Sequence, residues 1–165
     1  MPIRSIRIYP GSVLRVQTKR IHALTDYHHR VITDLIDTLK VQPGGIGIAA
    51  PQIGYPVCIA VVDVSKKDKA KQLMVMVNPE ILSSSGEKVS REGCMSIPDF
   101  TGNVKRATQI CVRWYDRNFT MYEKTTDGLE AICIQHEIDH LNGYLFLDHV
   151  SSMNRDVFRR KKYLS

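Results

Sequence analysis

Residues 127–143, DGLEAICIQHEIDHLNG, set the strongest constraint on how this chain can fold. Wound at about 3.6 residues per turn, Leu129, Ala131, Ile132, Cys133, Ile134, Ile138 and Leu141 spread around nearly the whole circumference, and a helix apolar on all sides belongs inside the molecule. Asn142-Gly143 supplies its C-terminal stop. The same stretch carries His136, Glu137, Asp139 and His140. An unpaired polar group costs on the order of 2 to 7 kcal/mol to bury and an ion far more, so these groups need a common partner. His136 and His140 stand four positions apart, on one face a turn from each other, which lets both rings reach one metal ion. Glu137 lies beside the first of them, within reach of a water on that ion. The string alone leaves a second reading open, in which the histidines are hydrogen-bonded packing groups.

The remainder of the chain is expected to build one domain, residues 1–165, around that helix. At 165 residues it can bury roughly two-thirds of its unfolded surface, and 43% hydrophobic with 24% charged residues is ordinary globular usage. In residues 25–40, TDYHHRVITDLIDTLK, the side chains Tyr27, Val31, Ile32, Leu35, Ile36 and Leu39 share one helical face, and PGG follows as a stop. PVCIAVVDV and LMVMVNPEI read as strands, and QICVRWY, DRN and FTMYEK as a hairpin in which Ile110, Val112 and Trp114 alternate with Cys111, Arg113 and Tyr115. YLFLDHV reads as a short last strand, and the tail from Ser151 as a basic, helical end. Strands in neighbouring runs, without regular β-α-β alternation, indicate an α+β fold of mostly antiparallel strands packed around a buried metal-binding helix.

Composition narrows the function classes. No apolar run approaches the roughly 20 residues of a spanning helix, and MPIRSIRIYP lacks the apolar stretch of a signal peptide. The expectation is a cytoplasmic protein with no membrane partner. Cys58, Cys94, Cys111 and Cys133 form no C-x-x-C pair, which fits a reduced compartment. The net charge of +6 is only loosely clustered, in SKKDKAK and RRKK, and reads as solvated surface without sequence-specific nucleic acid binding.

A third metal ligand decides what kind of site this is, because catalytic zinc-type centres keep three protein ligands and leave a fourth position for water. His149 follows His140 by nine residues, but LDHV lacks the Gly-containing spacer of familiar zinc peptidases. The other candidate is Cys94 in REGCMSIP, a stretch that reads as a loop or strand end holding the thiol in the open. Cys58 and Cys111 read as small buried hydrophobes.

GIGIAAPQIG (45–54), EGCMS (92–96) and QHEIDH (135–140) resemble, in this order, the three motifs of peptide deformylases, and the likeness runs from IYPGSVLR (8–15) to FLDH (146–149). The resemblance implies that Cys94, His136 and His140 hold one divalent metal ion, Fe(II) in the cell, with zinc, nickel or cobalt also suited to the set. It implies Glu137 as the proton carrier, and Gln52 and the Met95 backbone N–H as donors to the formyl oxygen. The substrates implied are N-formylmethionyl peptides, hydrolysed to formate and a free amino terminus. Ile46, Leu129, Ile132 and Cys133 are positioned to line a methionine pocket, Gly45 and Gly47 permit close backbone approach, and Glu92 and Asp139 are expected to orient ligands or loops. Two departures stand out. Met95 replaces a leucine, and Thr101 stands where many members carry a substrate-binding arginine, for which Arg106 or Lys105 is the expected substitute. The basic tail implies contact with the ribosome. The competing readings are a metal-stabilised binding protein with little turnover, an endopeptidase and a basic RNA-binding module.

Overall fold

The computed structural model describes residues 3–160. Among them are two α-helices, α1 (Asp26–Lys40) and α2 (Gly128–Leu141), and eight strands: β1 (Gly47–Ala49), β2 (Ile59–Val62), β3 (Met74–Ser85), β4 (Lys88–Cys94), β5 (Ile97–Arg106), β6 (Gln109–Tyr115), β7 (Met121–Asp127) and β8 (Val157–Arg159). One sheet has the order β1-β2-β3-β6-β7, the other β4-β5-β8, and every pairing within them is antiparallel. The expected α+β architecture, with antiparallel strands around a central helix, is the one observed.

Alternation along β2 explains how both helices use one sheet. Successive side chains of a strand point to opposite faces. Ile59 and Val61 join Val31, Ile32, Leu35 and Leu39 of α1 in one apolar cluster. Val62 joins Ala131, Cys133 and Ile134 of α2 in a second, and Ala60 meets Leu141. All four β2 residues are therefore buried, each Ile or Val contributing about 1.5 to 3 kcal/mol of transfer free energy. The stop after α2 is also as expected: Gly143 takes φ 82°, the left-handed conformation that closes a helix end at little cost for glycine.

Three local expectations are corrected. Tyr27 does not share the buried stripe of α1; it is 39% exposed in the first turn, where its ring meets Tyr55 edge-on at 5.9 Å between centroids. YLFLDHV is no strand, because Phe146–His149 forms a 3-10 turn. The Asp148 carboxylate accepts the Leu145 N–H at 2.8 Å, a local bond that curls the backbone instead of extending it. The tail turns extended where a helix was expected, as Val157–Arg159 pairs with the free edge of β5 through Phe100↔Arg159, Thr101↔Phe158 and Gly102↔Val157. An unpaired edge presents unmet N–H and C=O groups, which this short strand satisfies. The end of the proposed basic tail, residues 161–165, lies outside the described residues. REGCMSIP, read as a loop or strand end, is the end of β4 and the turn into β5, in a hairpin that mixed charge and internal Gly and Pro hide from a hydrophobic pattern.

Candidate active site

The β4–β5 hairpin carries Cys94 to the side of α2. Its pairing runs from Lys88↔Arg106 to Gly93↔Thr101, then shifts so that Cys94 faces Ile97. The thiol is not in the open as expected: Cys94 is 5% exposed, packed in a cluster with Leu14, Leu145 and Phe146. Its Sγ lies 3.3 Å from His140 Nε2, and the rings of His136 and His140 are 5.0 Å apart between centroids. One donor atom from each of Cys94, His136 and His140 falls within 4.8 Å of the others. A tetrahedral ion about 2.3 Å from sulfur and about 2.0 Å from nitrogen sets S and N about 3.5 Å apart, so this donor set has the spacing to share one ion.

The surrounding groups fix these donors. His136 Nδ1 lies 2.9 Å from Glu92 Oε1, which leaves Nε2 for the cluster, the outer carboxylate partner typical of a metal-binding histidine. Arg106 Nε donates to Glu92 Oε2 at 2.7 Å and its Nη2 to Glu92 Oε1 at 2.9 Å. The guanidinium also pairs with Asp139, which in turn meets His149 Nε2 at 3.0 Å. Burial by itself would raise the Glu92 carboxyl, yet hydrogen bonds from Arg106 and His136 hold it down at about 2. Arg106 is thus not a stand-in for the cation missing at Thr101, and Lys105 points instead to Glu87 on the surface at 3.9 Å. Arg106 faces inward with the strand period, two positions after the fully buried Val104.

Glu137 occupies the inner wall. It is 3% exposed, and its Oε2, like His140 Nδ1, has no hydrogen-bond partner among the described residues. Such a group costs about 1 to 3 kcal/mol when left unpaired, so it calls for a functional explanation. Burial pushes the Glu137 carboxyl up to about 7, with Glu92 and Asp139 acting in the same direction and His136 and Arg106 opposing. Gly47 makes room for it: a Cβ there would lie 2.6 Å from Cys133 Sγ and 3.0 Å from Glu137 Oε1. Gln52, 1% exposed in the 3-10 turn Ala50–Ile53, accepts the Ala49 N–H on Oε1 at 2.9 Å. Its Nε2 is turned to Ser96 Oγ at 3.2 Å and Cys94 Sγ at 3.5 Å. No role was anticipated for Ser96, although it closes the EGCMS motif, and that motif is the signal that could have found it.

A cavity of about 280 Å³ opens beside these groups. Gly45, Ile46, Gly47, Leu129, Ile132 and Cys133 line it, together with Gln52, Cys94, Met95, His136 and Glu137. Ligand pockets commonly span about 300 to 1,000 Å³, so this one suits a side chain and its backbone rather than a large cofactor. Leu129 sits at the mouth, 39% exposed, so the first turn of α2 is less enclosed than its all-round apolar pattern implied.

A sequence model of the family described as polypeptide deformylase matches residues 3–156. This chain belongs to the polypeptide deformylase family. A peptide deformylase of Bartonella quintana (strain Toulouse) is 41% identical over 162 residues, covering 98% of this chain and 92% of the relative. The crystal structure of a peptide deformylase from Legionella pneumophila superposes with a TM-score of 0.86 at 41% identity, covering 93% of this chain and 89% of that one. The class I type b peptide deformylase of Acinetobacter baumannii with Met-Ala-Ser bound gives a TM-score of 0.82 at 29% identity, covering 90% and 99%. Deformylases are metal-dependent hydrolases, and in this member Cys94, His136 and His140 form a cluster that can hold the metal. No helix among the described residues is long and apolar enough to cross a membrane.

Proposed function

We propose that this deformylase removes the formyl group from the N-terminal methionine of new polypeptides, releasing formate. The observation that carries the reading is the Glu137 carboxylate, buried with one oxygen unpartnered on the wall of the cavity that Cys94 and His136 also border. Cys94, His136 and His140 would hold one divalent ion, which when bound polarises a carbonyl oxygen and lowers the pKa of water towards about 7.

The chain's own groups do the rest. Glu137 takes a proton from the attacking water and delivers it to the amine nitrogen as the C–N bond breaks, leaving formate and a free amino terminus. Burial favours its protonated form, so the carboxyl is suited to accept the proton and then pass it on. Negative charge develops on the formyl oxygen during attack. The Gln52 amide, locked by the Ala49 N–H, and the Met95 N–H are the donors for it, each worth about 2 to 4 kcal/mol. The methionine side chain lies against Ile46, Leu129, Ile132 and Cys133, while Gly45 and Gly47 let its backbone approach. The Met-Ala-Ser bound to the Acinetobacter relative supports a peptide with N-terminal methionine at this cavity.

Fe(II) is the ion proposed for the cell; a thiolate with two imidazoles also accepts zinc, nickel or cobalt, and availability decides as much as affinity. Protein prepared without oxygen and checked for metal content should release formate from formyl-Met-Ala-Ser. Full metal occupancy without formate release would falsify the reading.

A further inference from the structure

We infer that Arg91 and Arg160 form a carboxylate-binding clamp at the cavity mouth, favouring peptides with an acidic residue at one of the two positions after the methionine. The inference rests on the deformylase reading above and concerns how the same cavity chooses among peptides. Both arginines line the cavity. Arg91 projects from β4, and Arg160 follows β8 directly in sequence, so the clamp exists only because β8 adds to the edge of β5.

The Arg91 guanidinium is held by groups that leave its charge available, and the Arg160 backbone is fixed nearby. Arg91 Cζ lies 3.6 Å from the centroid of the Phe158 ring, and its Nε donates to Asn103 Oδ1 at 3.0 Å. A guanidinium stacked on an aromatic face keeps its outer N–H groups free for a carboxylate. The Arg160 N–H donates to the Asp99 carbonyl at 2.8 Å, fixing the backbone from which the side chain turns back over the hairpin. Its guanidinium fills the space above Gly93 with Thr101 Cγ2 beside it, and a Cβ on Gly93 would collide with it. Glycine at 93 and a short side chain at 101 together make the berth for this arginine.

No side-chain carboxylate neutralises either cation by an ion pair among the described residues. The cavity's own acids are otherwise engaged or placed: Glu92 is bound by Arg106 and His136, and Glu137 is buried on the inner wall. Arg91 and Arg160 are both exposed. Two guanidinium groups at one entrance, each able to bind a carboxylate through paired N–H donors, favour an anionic group on the entering chain.

The test compares amidated peptides, formyl-Met-Glu-Ser and formyl-Met-Ala-Glu, with their Gln counterparts; formyl-Met-Ala-Gln with a free C-terminus separates a terminal carboxylate from a side-chain one. Glu at one of the two positions should lower KM by a factor of about 2 to 5 with kcat little changed, and the advantage should shrink at high salt. Arg160→Gln should erase the Glu-over-Gln ratio of KM values, and Arg160→Lys should retain part of it. Equal KM for Glu and Gln at both positions, a preference confined to the terminal carboxylate, or a preference undiminished in Arg160→Gln overturns the clamp. Absence of formate from every peptide overturns the deformylase reading instead. Calorimetric binding of the same peptides to metal-loaded protein then still reads the Glu-over-Gln preference, and equal affinities there overturn the clamp independently.

Discussion

Helices α1 and α2 are nearly equal in length, 15 and 14 residues, and cover opposite faces of the same strands, yet their buried polar groups serve different ends. On α1, Asp34 accepts Arg4 Nε at 2.8 Å and Thr38 Oγ1 accepts the Arg4 N–H at 2.9 Å, so both side chains tether the N-terminal segment. On α2, Gln135 clasps the Ala107 backbone with bonds of 3.0 Å in both directions, and Thr126 Oγ1 donates to Glu130 at 2.8 Å. These resemble the tethers of α1. His136, Glu137 and His140 do not: His136 and His140 gather with Cys94 into one donor cluster, His136, Glu137 and Cys94 border the cavity, and one Glu137 oxygen is left without a partner among the described residues. Buried oxygens without a partner also occur on Asp37 of α1 and Glu130 of α2, so what marks the site is that the Glu137 oxygen lies on a cavity beside the donors gathered from Cys94, His136 and His140.

This contrast can be broken most sharply at Glu137. Glu137→Gln preserves shape and metal content but removes the proton carrier, so formate release should fall by roughly 10²- to 10⁴-fold while the melting temperature holds steady. Near-native turnover would remove Glu137 from its role. The matching change on α1 is Leu35→Ala, at a fully buried position. It should cost about 2 to 5 kcal/mol of unfolding free energy in urea and leave kcat of the folded protein within a factor of two or so, and a collapse of kcat would show that α1 also tunes the site.

A smaller effect separates the ligands from what holds them. Glu92→Gln keeps an acceptor for His136 but removes the charge facing Arg106; metal affinity should drop by about 10- to 100-fold, read by chelator competition, and unchanged affinity would make Glu92 merely structural. The smallest effect lies away from both helices' active faces. Asp148 is partly buried, which alone would raise its carboxyl, but the Arg15 guanidinium and the Leu145 N–H hold it below its ordinary range. A depressed folded-state pKa contributes stability above the unfolded value of about 3.9, lost as pH falls through the folded value. Asp148→Asn should therefore lower stability slightly at neutral pH and flatten its decline below about pH 4; parallel acid-unfolding curves would exclude the contribution.

The chemistry of α2 was legible in its residues because burial, spacing and polar content were all local: an apolar circumference, two imidazoles one turn apart and a carboxylate between them require a shared partner wherever the helix sits. The alternation of Ile110, Val112 and Trp114 was legible for the same reason, each being buried in β6. The β4–β5 hairpin was harder to read because one of its faces is largely exposed, so its sequence mixes Lys, Glu, Gly and Pro where a core strand would repeat Val and Ile. The sequence therefore offers Arg106 as a substitute for the substrate-binding arginine absent at Thr101, although its burial between Glu92 and Asp139 makes it the support of Glu92 and, through it, of His136.

The sequence by itself determined the class of fold and set two imidazoles and a carboxylate within one turn of a buried helix, since these follow from residue type and from periods within single elements, whereas the third ligand and the proton carrier are what the resemblance to deformylases implies. Only the tertiary structure decided that Cys94 is enclosed, that Arg106 faces inward and that Arg160 returns to the cavity mouth. Each depends on contacts between segments far apart in the chain: the register shift after Gly93, the ion pairs to Glu92 and Asp139, and the pairing of β8 with β5. Such contacts are set by which edges and faces remain open once the rest has folded, and no local pattern of residues records that.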